Sequence, residues 1–446
     1  MTGIFRADDI RGKFGADLTI ENAKKIGYAI NKYVKSDKLI LAYDNRLSSP
    51  KLKKALISEL DKTIIVIGQV PTPVFYFVLD LYKKYYGVMV TASHLSKEFN
   101  GFKINRGSWA LTYSTGIKKI ELLAEKYQLK KHKHKVIKRN MNNAYFSFIL
   151  PKIKLKKRLT VAVDGGNGVA GPFLVRALKK LNCKVIELHC NPNPNFPYHT
   201  ANPLINKNVQ DLQGLIKKTK VDIGIALDGD GDRIRIISPK AEILDNEVVI
   251  SLLAKYVLSK RPKSNIVYSS ICSDLVKTMV KKCNGTPIME KVGHSFMKNT
   301  SIKKKAELWG EYSGHFGFKE INYNDDGIYA ALKLCELISK YPEFWQEARL
   351  LSKMYIAPAE LRIKVKESQK AIIMRNFFNL FKKYKKSRKD GLRIYFSKDS
   401  WALIRPSNTE SVISIRFQAK NKTELKLINV LIKKSLKNSI KSKQKN

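Results

Sequence analysis

The segment Tyr86-Gly87-Val88-Met89-Val90-Thr91-Ala92-Ser93-His94 runs from an apolar stretch directly into a hydroxyl side chain and an imidazole. Its first five residues predict a buried β-strand, because the run is short, apolar and rich in β-branched side chains. The ends of strands are where α/β proteins place their functional groups. Ser93 and His94 are therefore expected at the rim of a sheet, and Lys103 follows in the next polar stretch.

Strand and helix patterns alternate outward from this segment. Apolar runs at 39–43 and 63–68 are separated by a helical pattern, which predicts βαβ units and a mainly parallel sheet. A second α/β unit begins at Leu159, and a third of similar rhythm covers about 241–350. After about residue 355, short strands and lysine-rich helices predict an α+β domain with an antiparallel sheet.

The fold class predicted from these patterns is α/β, with three mixed α/β domains followed by a C-terminal α+β domain. The basic stretch 129–158 is interpreted as a solvated linker, and the first domain boundary is placed within it. The expected domains are residues 1–135, 136–240, 241–354 and 355–446.

The composition suits a reduced, multidomain globular protein. At 446 residues the chain exceeds one ordinary core, and a hydrophobic fraction of 44% is ample for packing. The five cysteines are scattered without a CxxC pair, which predicts no disulfide framework and no zinc site. No apolar run approaches the roughly 20 residues needed to cross a bilayer, and the N-terminus lacks a signal-peptide core. We expect a cytoplasmic protein without a membrane partner.

The formal net charge of +46 admits two interpretations. It could indicate nucleic acid or an anionic membrane as a partner. The lysines, however, are spread over the whole chain, and no RNP signature or basic region followed by heptads is present. The favoured interpretation is a lysine-rich solvated surface with no specific nucleic-acid partner. A nucleic-acid binder remains the minor alternative.

The predicted strand at 222–227 leads directly into the acidic motif Asp228-Gly229-Asp230-Gly231-Asp232-Arg233. Three carboxylates at alternate positions can converge on one hard cation, and the glycines let the backbone fold tightly around it. The loop lacks the glutamate that ends an EF-hand. Oxygen ligands favour Mg²⁺, whose shell readily admits a phosphate. This motif therefore predicts a magnesium site formed by Asp228, Asp230 and Asp232.

A glycine motif elsewhere supports a different function. Gly166, Gly168 and Gly171 satisfy GxGxxG after a predicted strand, and Glu187 lies at roughly the distance of a ribose-binding acid. This pattern predicts a dinucleotide site and, with it, a nucleotide-binding dehydrogenase. The same glycines are also typical of a tight strand-to-helix turn. Because the motif is permissive, the dehydrogenase is kept as the less favoured alternative.

Two further loops carry groups suited to a phosphorylated sugar. Glu311, Ser313 and His315 lie two residues apart between glycines, an arrangement that suits sugar hydroxyls. The segment Arg405-Pro406-Ser407-Asn408-Thr409-Glu410 combines an arginine with three small polar side chains and predicts a cup for an oxyanion. A carrier hydroxyl, a cation site, a hydroxyl-binding loop and a phosphate cup together indicate a phosphosugar mutase. Ser93 is the predicted phosphoryl carrier.

In the order and spacing of these motifs, nearly the whole chain resembles the α-D-phosphohexomutase superfamily, and most of all its bacterial phosphomannomutase/phosphoglucomutase branch. The opening Phe5-Arg6-Ala7-Asp8-Asp9-Ile10-Arg11-Gly12 and the cup at 405–409 favour this branch over phosphoglucosamine mutases. The resemblance implies four domains around a central cleft, the first three sharing one α/β topology. It also implies that Ser93 is phosphorylated and binds Mg²⁺ together with the three aspartates.

The resemblance assigns roles to the other loop residues. The candidates for proton transfer and transition-state charge stabilisation are Lys103, His315 and Arg11, with Arg233 and His94 beside the phosphoserine. Glu311 and Ser313 would grip sugar hydroxyls. The residues that would line the cleft from the third domain are Lys291, Val292, Gly293 and His294. The residues that would hold the non-reacting phosphate are Arg405, Ser407, Asn408 and Thr409.

The reaction implied by the resemblance is the reversible, Mg²⁺-dependent conversion of a hexose 6-phosphate into the hexose 1-phosphate, with mannose and/or glucose as the sugar. A phosphoserine enzyme, primed by a hexose 1,6-bisphosphate, would act through a bisphosphorylated intermediate. A mutase for another phosphosugar, such as glucosamine phosphate, is the alternative within the family. The expected partner is a small phosphosugar, and the expected state is a monomer or weak dimer.

Three sites depart from the family pattern. Leu95-Ser96 replaces the usual Asn-Pro, Ile271 stands where a lysine is expected, and Asp8 stands where the branch usually has a phosphate-binding tyrosine. A carboxylate repels an anionic phosphate, so Asp8 predicts altered affinity or specificity. Ser93 and the three aspartates are intact, which favours an active enzyme over a pseudoenzyme.

Overall fold

The computed structural model describes residues 3–129, 132–407 and 411–441. These residues form four sheets, one after another along the chain, with helices packed against each. The first three sheets are mixed and the fourth is antiparallel, so the predicted fold class is confirmed. No helix in the described ranges is long and apolar enough to cross a membrane.

The first sheet contains the strand that leads to Ser93. Its strands are β1 (Ile10–Lys13), β2 (Lys38–Tyr43), β3 (Thr63–Gln69), β4 (Tyr86–Val90), β5 (Phe99–Arg106), β6 (Trp109–Ala110) and β7 (Lys135–Lys138). Its helices are α1 (Ile20–Tyr33), α2 (Ser49–Ile57), α3 (Thr72–Leu81) and α4 (Lys118–Ala124). The strand order is β1-β5-β4-β2-β3-β7, with β6 paired to β5. The four strands β4, β2, β3 and β7 are parallel, whereas β5 is antiparallel to both neighbours.

The prediction that 129–158 is a solvated linker is wrong in part. Strand β7 pairs in parallel with β3 at the edge of the first sheet, so the expected boundary after residue 135 falls at the start of this strand. Helix α5 (Asn142–Ile149) follows and packs against α3. Only two apolar residues, Val136 and Ile137, lie between lysines in β7, and edge strands commonly carry lysine. The charge run therefore concealed a strand.

The second sheet carries the acidic motif. Its strands are β8 (Thr160–Asp164), β9 (Lys184–Leu188), β10 (Ile223–Leu227), β11 (Ile234–Ile237) and β12 (Ile243–Leu244), in the order β12-β11-β10-β8-β9. Its helices are α6 (Gly171–Lys180) and α7 (Gln210–Lys218). Strand β10 is buried along its whole length and ends directly at Asp228.

The glycine motif of this sheet serves close packing. A Cβ atom at Gly168 would lie 2.5 Å from the carbonyl oxygen of Gly229, and one at Gly171 would lie 2.6 Å from that of Cys190. Glu187 forms a surface ion pair with Lys179 at 2.7 Å. The turn thus brings the backbone against the acidic loop, as the tight-turn interpretation predicts.

Gly168→Ala is expected to destabilise the protein, because its Cβ would collide with the backbone of the acidic loop. Overpacking of this kind costs about 1–3 kcal/mol. Gly214→Ala is the matched control: Gly214 lies in helix α7 with open space around its Cβ position, so the change should be neutral or stabilising. Thermal midpoints of both variants check this prediction, and equal midpoints would contradict it.

The third sheet has β13 (Asn265–Ser269), β14 (Thr286–Glu290), β15 (Leu308–Gly310) and β16 (Phe316–Phe318), in the order β14-β13-β15-β16. Its helices are α8 (Asn246–Lys260), α9 (Asp274–Lys282), α10 (His294–Lys304), α11 (Gly327–Lys340) and α12 (Phe344–Leu351). In each of the first three sheets, a parallel strand turns back into an antiparallel neighbour: β4 into β5, β10 into β11, and β15 into β16. These three turns are the loops that carry Ser93, the three aspartates and Glu311, which were singled out from the sequence.

The fourth domain is built differently. Its strands are β17 (Leu361–Lys364), β18 (Lys385–Ser387), β19 (Leu392–Tyr395), β20 (Trp401–Pro406) and β21 (Val412–Gln418), all antiparallel in the order β17-β21-β20-β19-β18. Helices α13 (Glu367–Leu380) and α14 (Lys422–Lys441) pack against it. The large apolar core runs continuously through the first three domains, whereas this domain has a core of its own. The fourth domain therefore has its own apolar core and contacts the third domain through a small apolar cluster.

Candidate active site

The turns of the first two sheets are in direct contact at Ser93. The Oγ of Ser93 donates a hydrogen bond to Oδ2 of Asp228 at 2.7 Å and lies 3.3 Å from Nδ1 of His94. A Cβ at Gly229 would lie 2.6 Å from the carbonyl oxygen of Ser93, so this approach requires glycine. Ser93 has φ of +50°, which is uncommon for a residue with a side chain. Such an outlier at a polar loop favours a functional constraint on Ser93.

The three aspartates of the second turn converge. One carboxylate oxygen from each of Asp228, Asp230 and Asp232 lies within 4.8 Å of the others, and all three residues are buried. The Nζ of Lys103 donates to Asp230 at 2.9 Å and to Asp232 at 2.5 Å. The Oδ1 atoms of Asp230 and Asp232 have no hydrogen-bond partner. Buried carboxylate oxygens without partners are unfavourable, and a cluster of three buried carboxylates fits a hard divalent cation.

Charge in this cluster is unbalanced. Burial and the neighbouring Asp232 and Asp230 raise the pKa of Asp228 well above its usual range. Burial alone would also raise the pKa of Asp230, but Lys103 and the hydroxyl of Thr72 hold it below its usual range. Burial would lower the pKa of Lys103, yet the two carboxylates raise it well above normal. The ammonium group of Lys103 and the more distant guanidinium of Arg233 offset part of the charge of the three carboxylates, and a divalent cation would offset the rest.

Cationic and neutral groups surround the hydroxyl of Ser93. Burial and the nearby Arg233 and Arg11 lower the pKa of His94 well below normal, so its imidazole is neutral at pH 7. The Nε of Arg233 is 3.9 Å from Asp228 and has no hydrogen-bond partner. Arg11 pairs closely with Asp9. The guanidinium groups create a positive field at Ser93 that would stabilise a phosphate there.

The third turn joins the second through the backbone. The amide of Ile234 donates to the carbonyl of Gly314 at 3.1 Å, and the backbones of Arg233 and His315 pair in an isolated antiparallel β-bridge. The Oε1 of Glu311 accepts the amide of Gly293 at 2.7 Å, and the hydroxyl of Ser313 donates to Oε2 of the same carboxylate, also at 2.7 Å. The predicted sugar-binding loop is thereby tied to the segment 291–294.

Two histidines share a carboxylate that the sequence reading missed. The Nδ1 atoms of His294 and His315 lie 3.1 and 3.3 Å from Oδ2 of Asp325, and the rings stack with centroids 5.5 Å apart. The Nδ1 of His315 is also 3.6 Å from Oδ1 of Asp232. Asp325 lies next to Asp326, which caps the N-terminus of helix α11, and the acidic pair before this helix start is the signal that could have indicated it.

Asp8 faces a cation rather than open space. Its Oδ2 lies 3.7 Å from Nε2 of His294. Burial would lower the pKa of His294, but Asp325 and Asp8 raise it to about 9. The aspartate that stands here in place of the usual tyrosine therefore lies next to a positively charged His294. This contact between opposite charges links the first and third domains.

Replacing His294 with glutamine is expected to destabilise the protein mainly at low pH. The raised pKa means that protonated His294 stabilises the folded state fully below its ordinary value of 6.5, by about 3 kcal/mol. This contribution is lost as the pH rises through about 9. The thermal midpoints of wild type and variant should therefore differ most near pH 6 and converge near pH 10. A pH-independent difference would contradict the prediction.

Arg46 holds the loop that carries Ser93, and sequence reasoning missed it as well. Its guanidinium donates to Oδ2 of Asp44 at 3.0 Å and is 1% exposed. It also donates to four backbone carbonyls of that loop, those of Ser93 (2.8 Å), Leu95 (2.7 Å), Ser96 (2.6 Å) and Phe99 (3.1 Å). The signal in the sequence is Asp44-Asn45-Arg46, a polar cluster directly after strand β2.

The predicted phosphate cup lies beside the third domain. The Nε of Arg405 is 3.9 Å from Asp390, and the same carboxylate accepts the amide of Val292 at 3.0 Å. The amide of Ser407 donates to the carbonyl of Val412. The Nζ of Lys291 lies 3.6 Å from the ring centroid of Phe296. The remaining cup residues, Asn408 and Thr409, lie outside the described residues.

Ile271 packs into the contact between the third and fourth domains. It forms an apolar cluster with Trp401 and Leu403, and Val292 and Tyr312 pack against this cluster. An isoleucine at this position thus contributes to domain packing where the family resemblance led us to expect a cation.

Family comparisons agree with this geometry. Profiles described as "Phosphoglucomutase/phosphomannomutase" match in chain order: alpha/beta/alpha domains I, II and III at residues 2–131, 143–241 and 245–355, and the C-terminal domain at 360–434. The phosphomannomutase/phosphoglucomutase of Pseudomonas aeruginosa is 34% identical over 443 residues, covering 97% of this chain and 95% of the relative. The chain belongs to the phosphoglucomutase/phosphomannomutase family.

Other members lie at similar distances. The phosphoglucomutase of Neisseria gonorrhoeae is 32% identical over 438 residues, covering 95% of both chains. A crystal structure of a phosphoglucomutase/phosphomannomutase family protein from Burkholderia thailandensis superimposes with a TM-score of 0.89 at 30% identity, covering 98% of both chains. Membership confirms the predicted resemblance, the four-domain architecture and the enzyme class, an isomerase that transfers phosphate intramolecularly.

Proposed function

We propose that this family member interconverts hexose 6-phosphates and hexose 1-phosphates, with mannose and/or glucose as the sugar, through a phosphoserine at Ser93. The observation that carries the proposal is the contact between the Oγ of Ser93 and Asp228 within three converging carboxylates. The names of the relatives, phosphomannomutase and phosphoglucomutase, support a hexose phosphate as substrate.

The two ends of the substrate are proposed to bind different domains. Glu311 and Ser313, linked to Gly293 through the glutamate, would hold sugar hydroxyls. Arg405 and Ser407, with Asn408 and Thr409, would hold the phosphate that does not react. A remote phosphate anchor fixes the sugar for in-line transfer, and positioning of this kind is the main protein contribution to phosphoryl transfer.

In the proposed first half-reaction the phosphoryl group leaves the Oγ of Ser93 for a sugar hydroxyl, and the hydroxyl's proton replaces it on Oγ. Lys103 has a raised pKa and remains protonated, so it donates hydrogen bonds and stabilises charge. His315, whose Nδ1 faces Asp325, is the candidate to move the proton through Nε2. The second half-reaction returns the other phosphate of the bisphosphorylated sugar to Ser93.

A divalent cation such as Mg²⁺, bound by Asp228, Asp230 and Asp232, would neutralise charge on the transferring phosphoryl group. Arg11, Arg233 and Lys103 add fixed positive charge on the protein side. A hexose 1,6-bisphosphate is the proposed primer of Ser93, since it can donate a phosphoryl group and leave as a monophosphate.

The test is an assay of the purified full chain with Mg²⁺ and a trace of glucose 1,6-bisphosphate. Mannose 1-phosphate and glucose 1-phosphate are supplied separately, and phosphorus NMR follows the 6-phosphates. Conversion of at least one sugar is expected. The intact mass of the protein first verifies that it carries the phosphoryl group. If this phosphorylated protein converts neither sugar, the proposed substrate class is overturned.

A further inference from the structure

The last helix, α14, carries an apolar patch on the side turned away from the protein. Ile428 and Ile432 of this helix are buried in the core of the fourth domain. On the outward side, Leu427 and Val430 are each 66% exposed and Leu431 is 38% exposed. Positions 427, 430 and 431 have the i, i+3, i+4 spacing that places side chains on one helix face. Scattered exposed leucines are ordinary, whereas these three aliphatic side chains lie together on one helix face.

Lysines surround this patch. We define the outer face of α14 as these three aliphatic residues together with the exposed lysines Lys426, Lys433, Lys434 and Lys437. None of these lysines forms a salt bridge with any residue in the described part of the chain. The one carboxylate of the helix, Glu424, instead accepts a hydrogen bond from Ser400. The outer face is therefore aliphatic and cationic, without an acidic group.

We propose, against the expectation of no membrane partner, that the outer face of α14 docks on an anionic lipid surface. Aliphatic side chains flanked by lysines match the boundary of a bilayer, where methyl groups enter the acyl region and ammonium groups meet lipid phosphates. The whole chain has a formal net charge of +46, which adds long-range attraction to such a surface.

Other partners fit the same face less well. A second copy of this chain would bring one lysine-rich face against another, and like charges repel. Nucleic acid would engage the lysines through its phosphates but would leave Leu427, Val430 and Leu431 without contacts, and the outer face carries no aromatic side chain on which bases could stack. The combination of aliphatic and cationic groups selects the lipid surface.

The proposed contact is separate from catalysis. Helix α14 packs on α13 and β21 of the fourth domain, so its outer face lies on the opposite side from the fourth-domain core. None of the proposed site residues belongs to this helix. Lipid docking can therefore be tested without reference to the mutase reaction.

The experiment is flotation of the full chain with vesicles at physiological ionic strength. One set contains phosphatidylglycerol and phosphatidylcholine in equal amounts, and the other contains phosphatidylcholine alone. Wild type should float only with the anionic vesicles. The triple variant Leu427→Ser, Val430→Ser, Leu431→Ser keeps every charge and should bind at least about 10-fold more weakly, since its apolar contact is lost.

The control variant is Leu350→Ser, which removes a leucine that is 64% exposed on helix α12 and should bind like wild type. Circular dichroism verifies that each variant is folded, and Lys433→Glu with Lys434→Glu provides a second test in which binding should also fall. Equal binding of wild type and the triple serine variant would overturn the proposal. An absence of flotation by wild type would also overturn it. In a third measurement single-stranded RNA is added to the flotation assay; tight RNA binding that is equal in wild type and the triple serine variant, and that abolishes flotation of both, would favour nucleic acid as the partner and overturn the proposal.

Discussion

Ser93→Ala is expected to lower kcat by at least about 10³-fold, because it removes the oxygen that carries the phosphoryl group between the two half-reactions. The Oδ2 of the buried Asp228 carboxylate loses the Ser93 donor at the same time, while its Oδ1 keeps the amides of Gly231 and Arg233. Activity is measured on mannose 1-phosphate and glucose 1-phosphate in the presence of the bisphosphate. Intact mass of the variant should also lack the phosphoryl group that wild type acquires.

Ser96→Ala is the matched control for this prediction. Ser96 lies in the same loop, and its carbonyl accepts a hydrogen bond from Arg46, which alanine preserves. The control should keep its activity and become phosphorylated. Conversion by Ser93→Ala at the wild-type rate, or phosphorylation of that variant to the wild-type extent, would exclude Ser93 as the carrier.

Arg46→Lys is expected to lower kcat by about 10- to 100-fold while KM changes little, because Arg46 acts on the carrier loop and not on the substrate. Its guanidinium satisfies four carbonyls and one carboxylate, and an ammonium group has only three donors. At least two of these buried or part-buried acceptors would therefore lose their partner. The carbonyl of Ser93, a residue already at an unfavourable φ, is one of the five acceptors that would compete for these three donors.

Hydrogen exchange provides a readout independent of catalysis. In Arg46→Lys the amides of residues 93–99 should exchange faster, while those of the fourth domain should not change. Arg393→Lys is the control, since Arg393 is also buried and donates to a backbone carbonyl, that of Ser270, far from this loop. It should leave exchange at 93–99 unaffected. Unchanged exchange and unchanged kcat in Arg46→Lys would show that Arg46 does not position Ser93.

The strands and turns that carry the candidate site could be predicted from the sequence because their signals are local. The run before Ser93 is apolar and short, and the alternation of aspartate and glycine at 228–232 is visible within five residues. Prediction from the sequence failed at β7, where lysines obscured a two-residue apolar pattern, at Arg46, whose carbonyl partners lie far away in sequence, and at Asp325, whose two histidine partners lie 10 and 31 positions earlier. Arg46 contacts carbonyls about fifty positions later, and no spacing rule indicates such a contact.

The sequence alone determined the four-domain order, the family resemblance and the candidate groups at the strand ends, since these follow from composition, periodicity and motif order. Tertiary structure alone decided how the groups meet. Gly229 lets the acidic turn approach Ser93, Lys103 reaches across to Asp230 and Asp232, and Asp8 lies opposite His294. Each of these contacts joins residues from different domains, and only packing of the domains fixes the distances between their charges.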